Sequence, residues 1–343
     1  STPIKSSAAS DVYKRQQISW SGEYKKMRRQ WALRNNRTEL IMLAVLLVGC
    51  VVMSMVSSTF LSVGNILNIC SQQSTTALMA IGMTLVIITG GIDLSVGTLL
   101  GFSGMLAAMR LQATGNILQA ILTAYGIALF IGIINGFLIG YMKLPAFIVT
   151  LGTQQICQSM NYVVTDGSSA SKFPEVFGFI GKGKLIGIIP FYLVMIIALY
   201  VIFMAVLTKM RYGRFLYATG SNEVAARISG IKTKKVIMVT YIISALTAAT
   251  AGLVMISRLM ACDPTYGKSA EMDVIAAVVI GGTFMSGGKG TLWGTAIGVF
   301  IVGVLRNSLN LLGVNTFWQG TAIGVVIILA VLAEQLSHKK KDN

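Results

Sequence analysis

The chain has 343 residues, 54% hydrophobic and only 12% charged, with a mean hydropathy of +0.73. Soluble domains carry about 25% charged residues, so a soluble globular fold is excluded, and the formal net charge of +16 sits in loops and tails, as the positive-inside bias of a membrane protein places it, not in a nucleic-acid footprint. The single histidine, His338, near the end and the four scattered cysteines (Cys50, Cys70, Cys157, Cys262) offer neither a metal site nor a disulfide frame.

Residues 1–38 are polar and basic, open on STPIKSSAASDVYKRQ, and read as an appended or disordered cytoplasmic leader outside the fold. Apolar runs then fall at 39–58, 72–89, 95–109, 116–141, 146–164, 186–208, 236–257, 271–287, 291–311 and 316–336. Most are near the roughly 17 to 25 residues that cross a bilayer as helix, and their continuity excludes the alternation of barrel strands. The expected fold is all-α, a polytopic membrane domain of about ten helices over 39–336, with a basic tail at 337–343. The third and eighth runs are short and glycine-rich, and are expected to be broken or partial helices. Basic residues cluster in the leader, in the loop 209–235 and in the tail. Six spans before the loop and four after it put all three on the cytoplasmic side, leaving 165–185 as the longest external connection.

VIITGGIDLSVGTLLG at 86–101 has an echo in VVIGGTFMSGGKGTLWG at 278–294. Both hold paired glycines (Gly90 and Gly91; Gly281 and Gly282), a serine four residues on (Ser95; Ser286), then Gly-Thr-Leu-x-Gly beginning at Gly97 or Gly290. A fainter match joins IGIING at 131–136 to VGVLRN at 302–307. The echo predicts an internal repeat carrying a helix break in each half, the arrangement transporters use around a substrate path. Gly287 and Gly288 carry the same meaning for the second break. Asp93 is expected near the cytoplasmic end of the first break, either capping the helix that starts at Leu94 or Ser95 or, less favoured, meeting substrate.

No energy-converting site stands in the chain. SGGKGT at 286–291 fails as a phosphate-binding loop, because Thr283 stands where its first glycine is needed and Gly290 where Ser or Thr should follow Lys289. No ladder of carboxylates suits a proton relay, so energy is expected from a partner. The loop KMRYGRFLYATGSNEVAARISGIKTKK at 209–235 offers the contact. Gly213 and Gly220 punctuate it, Arg214 adds to its charge, Asn222 is a good N-cap, and Glu223 opens a short helix whose Ala225 and Ala226 permit close approach. Gly230 is its expected C-cap.

This loop resembles the EAA-type coupling loop of ATP-binding cassette importer permeases. Together with GGIDLSVG, GRFLYATGSNEVAARISGI, EMDVIAAVVIGGTFMSGGKGT and RNSLNLLGVNTFWQ, it is similar to the ribose-type permease family, which serves ribose, xylose, arabinose and galactosides. The likeness covers about residues 58–336; Met272 departs from the leucine common in relatives. It implies a multi-pass permease of the bacterial cytoplasmic (inner) membrane, with both termini cytoplasmic. It also implies a second permease copy (identical or related), an ATPase partner that binds the ATP and Mg, and an external or periplasmic sugar-binding protein. Residues Gly213 to Gly230 would form the coupling segment, with Glu223 as the acid of the EAA-like triplet. No catalytic residue, cofactor, metal or nucleic-acid partner is expected in this chain.

Other polar residues in the apolar runs are weighed against interhelical hydrogen bonding. Asn135, Asn307 and Asn310, and the stripe of Thr150, Gln154, Gln155, Gln158 and Asn161, are candidates for the substrate path or a dimer contact. Glu271 and Asp273, at the start of the eighth run, are expected on the external side, either meeting the helix dipole or contacting the binding protein. The rivals are a permease for a nucleoside or other small polar solute, an ion-coupled secondary transporter, which would need mid-membrane carboxylates and no coupling loop, and a membrane enzyme, which would need a nucleophile or metal cluster among the spans.

Overall fold

The computed structural model describes residues 39–185, 187, 189–315, 318–325, 328 and 332. The leader 1–38, the tail 337–343 and much of the tenth run lie outside the described residues. The helices are α1 Glu39–Val56, α2 Val63–Ile88, α3 Val96–Thr114, α4 Ile117–Gly140, α5 Ala146–Thr165, α6 Phe179–Lys182, α7 Phe191–Lys209, α8 Arg211–Ser221, α9 Glu223–Ile228, α10 Thr233–Leu259, α11 Ala270–Ile280 and α12 Leu292–Leu311. Residues 318–325 are also helical. The fold is all-α and polytopic, as expected: α1, α2, α4, α7, α10 and α12 are long and apolar enough to cross a membrane. The eighth run is a partial helix, as expected, whereas the third, α3, is an unbroken helix of 19 residues. The helix of the eighth run, α11, has 11 residues, about 16 Å at 1.5 Å per residue, half the roughly 30 Å hydrocarbon layer. The remainder of that run, 281–287, is loop, which continues to residue 291.

Lipid is as apolar as a leucine side chain, so the most apolar helices need not be inside: α1 and α7 are only 6% and 22% buried over their most apolar stretches, whereas the less apolar α2 and α10 are 83% and 67% buried. Glycines bring α4 and α10 together. Gly132, Gly136 and Gly140 lie one turn apart and face the α10 backbone at Ile242, Met238 and Lys234, the same spacing run backwards. A Cβ at Gly136 would lie 2.7 Å from the Met238 oxygen and 2.8 Å from its Cα, so only a small residue allows this approach. Buried hydroxyl pairs tie the rest, such as Thr84 with Thr295 at 2.7 Å between α2 and α12.

The connection 165–185 is more organised than a bare linker. Strand β1 (Ala170–Ser171) pairs antiparallel with β4 (Ala261–Cys262), and β2 (Lys184–Leu185) with β3 (Ile189–Pro190). Phe173 and Phe177 pack edge-on over Ala108, Leu253 and Ile256.

The expected breaks are present, and each is closed by its own backbone hydrogen bonds. After α2, the Gly90 N–H donates to the Ile87 carbonyl at 2.9 Å and the Gly91 N–H to Val86 at 3.2 Å; after α11, Gly282 donates to Val279 at 2.9 Å and Thr283 to Val278 at 3.2 Å. Each is a Schellman closure around one left-handed glycine, Gly90 at φ 80° and Gly282 at φ 85°. The sequence alignment of paired glycines is therefore one residue out: Gly90 matches Gly282, and Gly91 matches Thr283. The Gly-Thr-Leu-x-Gly portions do not correspond, since Thr98 lies inside α3 whereas Thr291 caps α12, accepting from Gly294 N–H at 3.0 Å. The 131–136 match also fails, because it joins α4, the second helix after its break, to α12, the first after its own.

Replacing Gly136 with leucine is expected to separate α4 from α10, at an overpacking cost of about 1–3 kcal/mol or more. Thermal unfolding of the solubilised protein should shift down for Gly136→Leu and stay put for Gly126→Leu, whose Cβ meets nothing within 4 Å.

Candidate functional site

A helix ending inside a bundle must find partners for its last four carbonyls. In α2, Leu85, Val86 and Ile87 are served by Thr89, Gly91 and Gly90, and the last, Ile88, by the Gly288 N–H at 2.8 Å. The loop of the second break thus completes the first. Gly287 lies against Gly90, where its Cβ would be 2.9 Å from the Gly90 nitrogen. The predicted coupling segment rests on this junction. A Cβ at Gly220 would collide with the Ile88 carbonyl oxygen, a Cβ at Gly288 would meet Ser221, and the Tyr217 hydroxyl donates to the Gly290 carbonyl at 2.7 Å.

Gly213 and Gly220 do not punctuate the loop, as the sequence suggested. The helix α8 runs through both, and the missing side chains let it press on Leu207 and on the breaks. Asn222 does cap α9, its Oδ1 accepting from the Ala225 N–H at 2.9 Å. Gly230, at φ 84°, closes α9 with the same pattern as the breaks. Of the two alanines, Ala225 is exposed but Ala226 is buried against the protein's own bundle. The exposed apolar pair is Val224 and Ile228, 58% and 81% accessible, four residues apart on one face. Arg214 is exposed and reaches back to the Lys209 carbonyl at 3.5 Å.

Glu223 ties this segment to two others: it pairs with Lys143 in the α4–α5 loop and accepts from the Thr233 hydroxyl of α10 at 3.0 Å. Burial pushes its carboxyl up, but the hydrogen bonds from Lys143 and Thr233 and the charges of Lys143 and Arg227 outweigh it and hold it below the usual range. The tie is intact at neutral pH and is lost only as pH falls through that lowered range.

Asp93 is fully enclosed. Its Oδ1 accepts from the Ser95 N–H at 3.0 Å and the Ser95 hydroxyl at 2.5 Å, and its Oδ2 from the Ser244 hydroxyl of α10 at 2.7 Å. It is not the N-cap itself. That residue is Ser95, whose side chain makes no cap bond, so Asp93 closes a turn two residues upstream and pins it to α10. Asn135 joins the network: its Nδ2 donates to Ser95 Oγ at 3.3 Å and its Oδ1 accepts from the Thr153 hydroxyl at 2.6 Å. Ser286 stays in the second break with no corresponding acid.

Glu271 and Asp273 lie in the first turn of α11, as the helix-dipole reading expected, but inside the bundle. The chain descends from β4 through 263–269 into the bundle, where Gly267 packs on Gly97 and the Tyr266 carbonyl on Gly101. Glu271, 2% exposed, accepts from Gln154 Nε2 at 2.8 Å. Asp273 pairs with Arg306 of α12 at 2.7 Å. Neither is presented at the external surface for a binding protein to touch. The path candidates do not form one group. Asn135 and Gln154 lie around the first break and α11, with Gln158 half-buried one turn on. Asn307 instead exchanges amide hydrogen bonds with Asn65 at 2.8 and 2.9 Å, and Asn310 accepts from Gln319 at 2.6 Å. Among the described residues, no three His, Cys, Asp or Glu gather as a metal site. Lys143, Tyr217, Ser244 and Arg306 were missed. Each contributes one polar group whose partner is distant in the chain, which leaves no local signal.

Residues 65–331 match the family described as branched-chain amino acid transport system / permease component. The chain is 40% identical over 297 residues to the ribose import permease protein RbsC of Escherichia coli, covering 85% of this chain and 92% of that protein. It is 42% identical over 292 residues to the same-named protein of Bacillus subtilis, covering 84% and 90%. Against the D-allose transport system permease protein AlsC of E. coli it is 37% identical over 282 residues, covering 82% and 86%. No solved structure matches the chain.

Exchanging the charges of Lys143 and Glu223 tests the tie. Lys143→Glu and Glu223→Lys should each lower transport a few-fold, in line with the roughly 0.2–1 kcal/mol of an exposed pair. The double variant should recover part of the loss in a transport assay at equal membrane levels. Gly220→Ala, which drives a methyl into the Ile88 carbonyl, should cost more than either.

Proposed function

The chain belongs to this family of transport-system permease components, and from that premise we propose that it is the membrane-spanning subunit of an ATP-binding cassette importer for a monosaccharide. The observation that carries the reading is the coupling segment: α9 offers Val224 and Ile228 outward while its neighbour α8 sits, through Gly220, on both helix breaks. An apolar pair exposed on a short, polar-flanked helix suits a groove on an ATPase partner, and the glycine seat gives that contact a direct line to α2 and α11. The ribose and D-allose permeases that match along most of their length support a neutral sugar as cargo.

In this reading the chain breaks no covalent bond. ATP and Mg are bound by the partner; closure of two ATPase domains pushes the α9 segments of two permease copies, which alternate access. An external binding protein delivers the sugar. Coupling free energies are reciprocal, so loaded binding protein raises ATP turnover. Loop 209–235 and both termini are cytoplasmic, which agrees with the basic residues they hold. The sugar-permease relatives do not favour the alternative cargo, a nucleoside, an amino acid or another small polar solute.

Reconstituting the permease with its ATPase and binding protein and following labelled D-ribose, D-allose, leucine and adenosine decides between them. ATP-dependent uptake of a sugar, lost without the binding protein, is the expected result. Uptake of leucine or adenosine with no sugar would overturn the assignment.

A further inference from the structure

Between α3, α5 and the descending segment 263–271, polar atoms are buried without partners. Asn161 is 1% exposed, and neither its Oδ1 nor its Nδ2 has a hydrogen-bond partner. Glu271 spends Oε1 on Gln154, and its buried Oε2 is also unpartnered. Leaving such groups unpaired is costly, so their presence together calls for something that pairs them.

They face one seam. Gly97 and Gly101 are one turn apart on α3. The Asn161 Nδ2 lies 3.2 Å from where a Cβ of Gly101 would stand, and Glu271 Oε2 is the nearest atom to the corresponding place at Gly97. On α5, Gln154, Gln158 and Asn161 fall at i, i+4 and i+7, on one face. We propose that this seam is the passage subsite that reads the sugar, with Asn161, Glu271 and Gln154 pairing its hydroxyls as specificity-determining residues. The assignment rests on the importer function proposed above.

The chemistry fits a neutral polyol. Neighbouring hydroxyls both donate and accept; an amide supplies both roles and a carboxylate accepts two bonds. An apolar amino-acid side chain leaves the Asn161 amide and Glu271 Oε2 unpaired, and an anion meets Glu271 unfavourably. Asp93 and Asp273 do not compete for the role, since their oxygens are engaged within the protein.

The seam is closed in this conformation, with Gly267 packed on Gly97, so a sugar enters when 263–271 moves away from α3. The helix α11 supplies the lever. It is a rod of 11 residues with Glu271 at one end and the Gly281–Gly282 break at the other, and the loop after that break is seated under Gly220. Displacing the coupling segment therefore shifts the subsite.

Asn161→Leu tests this directly, because it keeps the volume and removes both unpartnered atoms. The expected result is an unfolding temperature equal to or above that of the parent, with uptake of D-ribose and D-allose lowered about tenfold, the scale of a lost hydrogen bond. Glu271→Gln, which turns an acceptor into a donor, should change the ratio of D-ribose to D-allose uptake, and it keeps the test open should Asn161→Leu fail to fold. If folded variants carry both sugars at the parent rate and ratio, the subsite is wrong while the importer reading stands. If the parent carries no sugar, the importer reading fails and this assignment falls with it.

Discussion

A helix that stops inside a membrane domain leaves carbonyls that lipid cannot satisfy, and the arrangement of this permease follows from where those carbonyls find donors. Three of the four at the end of α2 are closed locally around Gly90. The fourth, on Ile88, takes its hydrogen bond from Gly288 in the other half of the chain. The two halves are thereby joined at backbone level, where side-chain exchange cannot relax the contact. Gly220 then places α8 on the same carbonyl, so the proposed coupling segment and the two interrupted helices meet at one point.

Two levers leave that point. Through Asp93, the first break is held to Ser244 on α10 and, by way of Ser95 and Asn135, to α4 and α5. Through α11, the second break reaches Glu271 in the middle of the bundle. A third tie runs outside the core, from Glu223 to Lys143 and into α5. The α4–α10 contact rests on its glycine seam, with one direct hydroxyl pair, Tyr125 with Thr250 at 2.9 Å, beside it.

Much of this was legible in the sequence. Apolar run length sets the helices, and glycine pairs after apolar runs mark breaks, because only glycine takes the left-handed turn cheaply. Asn222 and Gly230 were readable as caps for the same local reason. What escaped was tertiary. Gly213 and Gly220 read as punctuation, yet they are helical and needed for close approach, and no local pattern separates the two uses. Span counting placed the start of the eighth run at the external surface; the packing of Gly267 on Gly97 brings Glu271 inside. The glycine pairs were aligned one residue out, because the sequence does not tell the left-handed glycine of each pair (Gly90, Gly282) from the one needed for close packing (Gly91, Gly281). The face of α9 was reversed in part, since a helix of six residues has no periodicity long enough to orient it.

The central claim is that the coupling segment acts on both breaks through the Ile88 carbonyl. Hydrogen exchange in the assembled transporter, compared with and without a non-hydrolysable nucleotide on the ATPase, tests it most directly. The account predicts that amides at 86–95 and 281–291 change together with those at 211–230, while the amides at 132–140 on α4 do not. A change confined to 211–230, with both breaks unaffected, would contradict it.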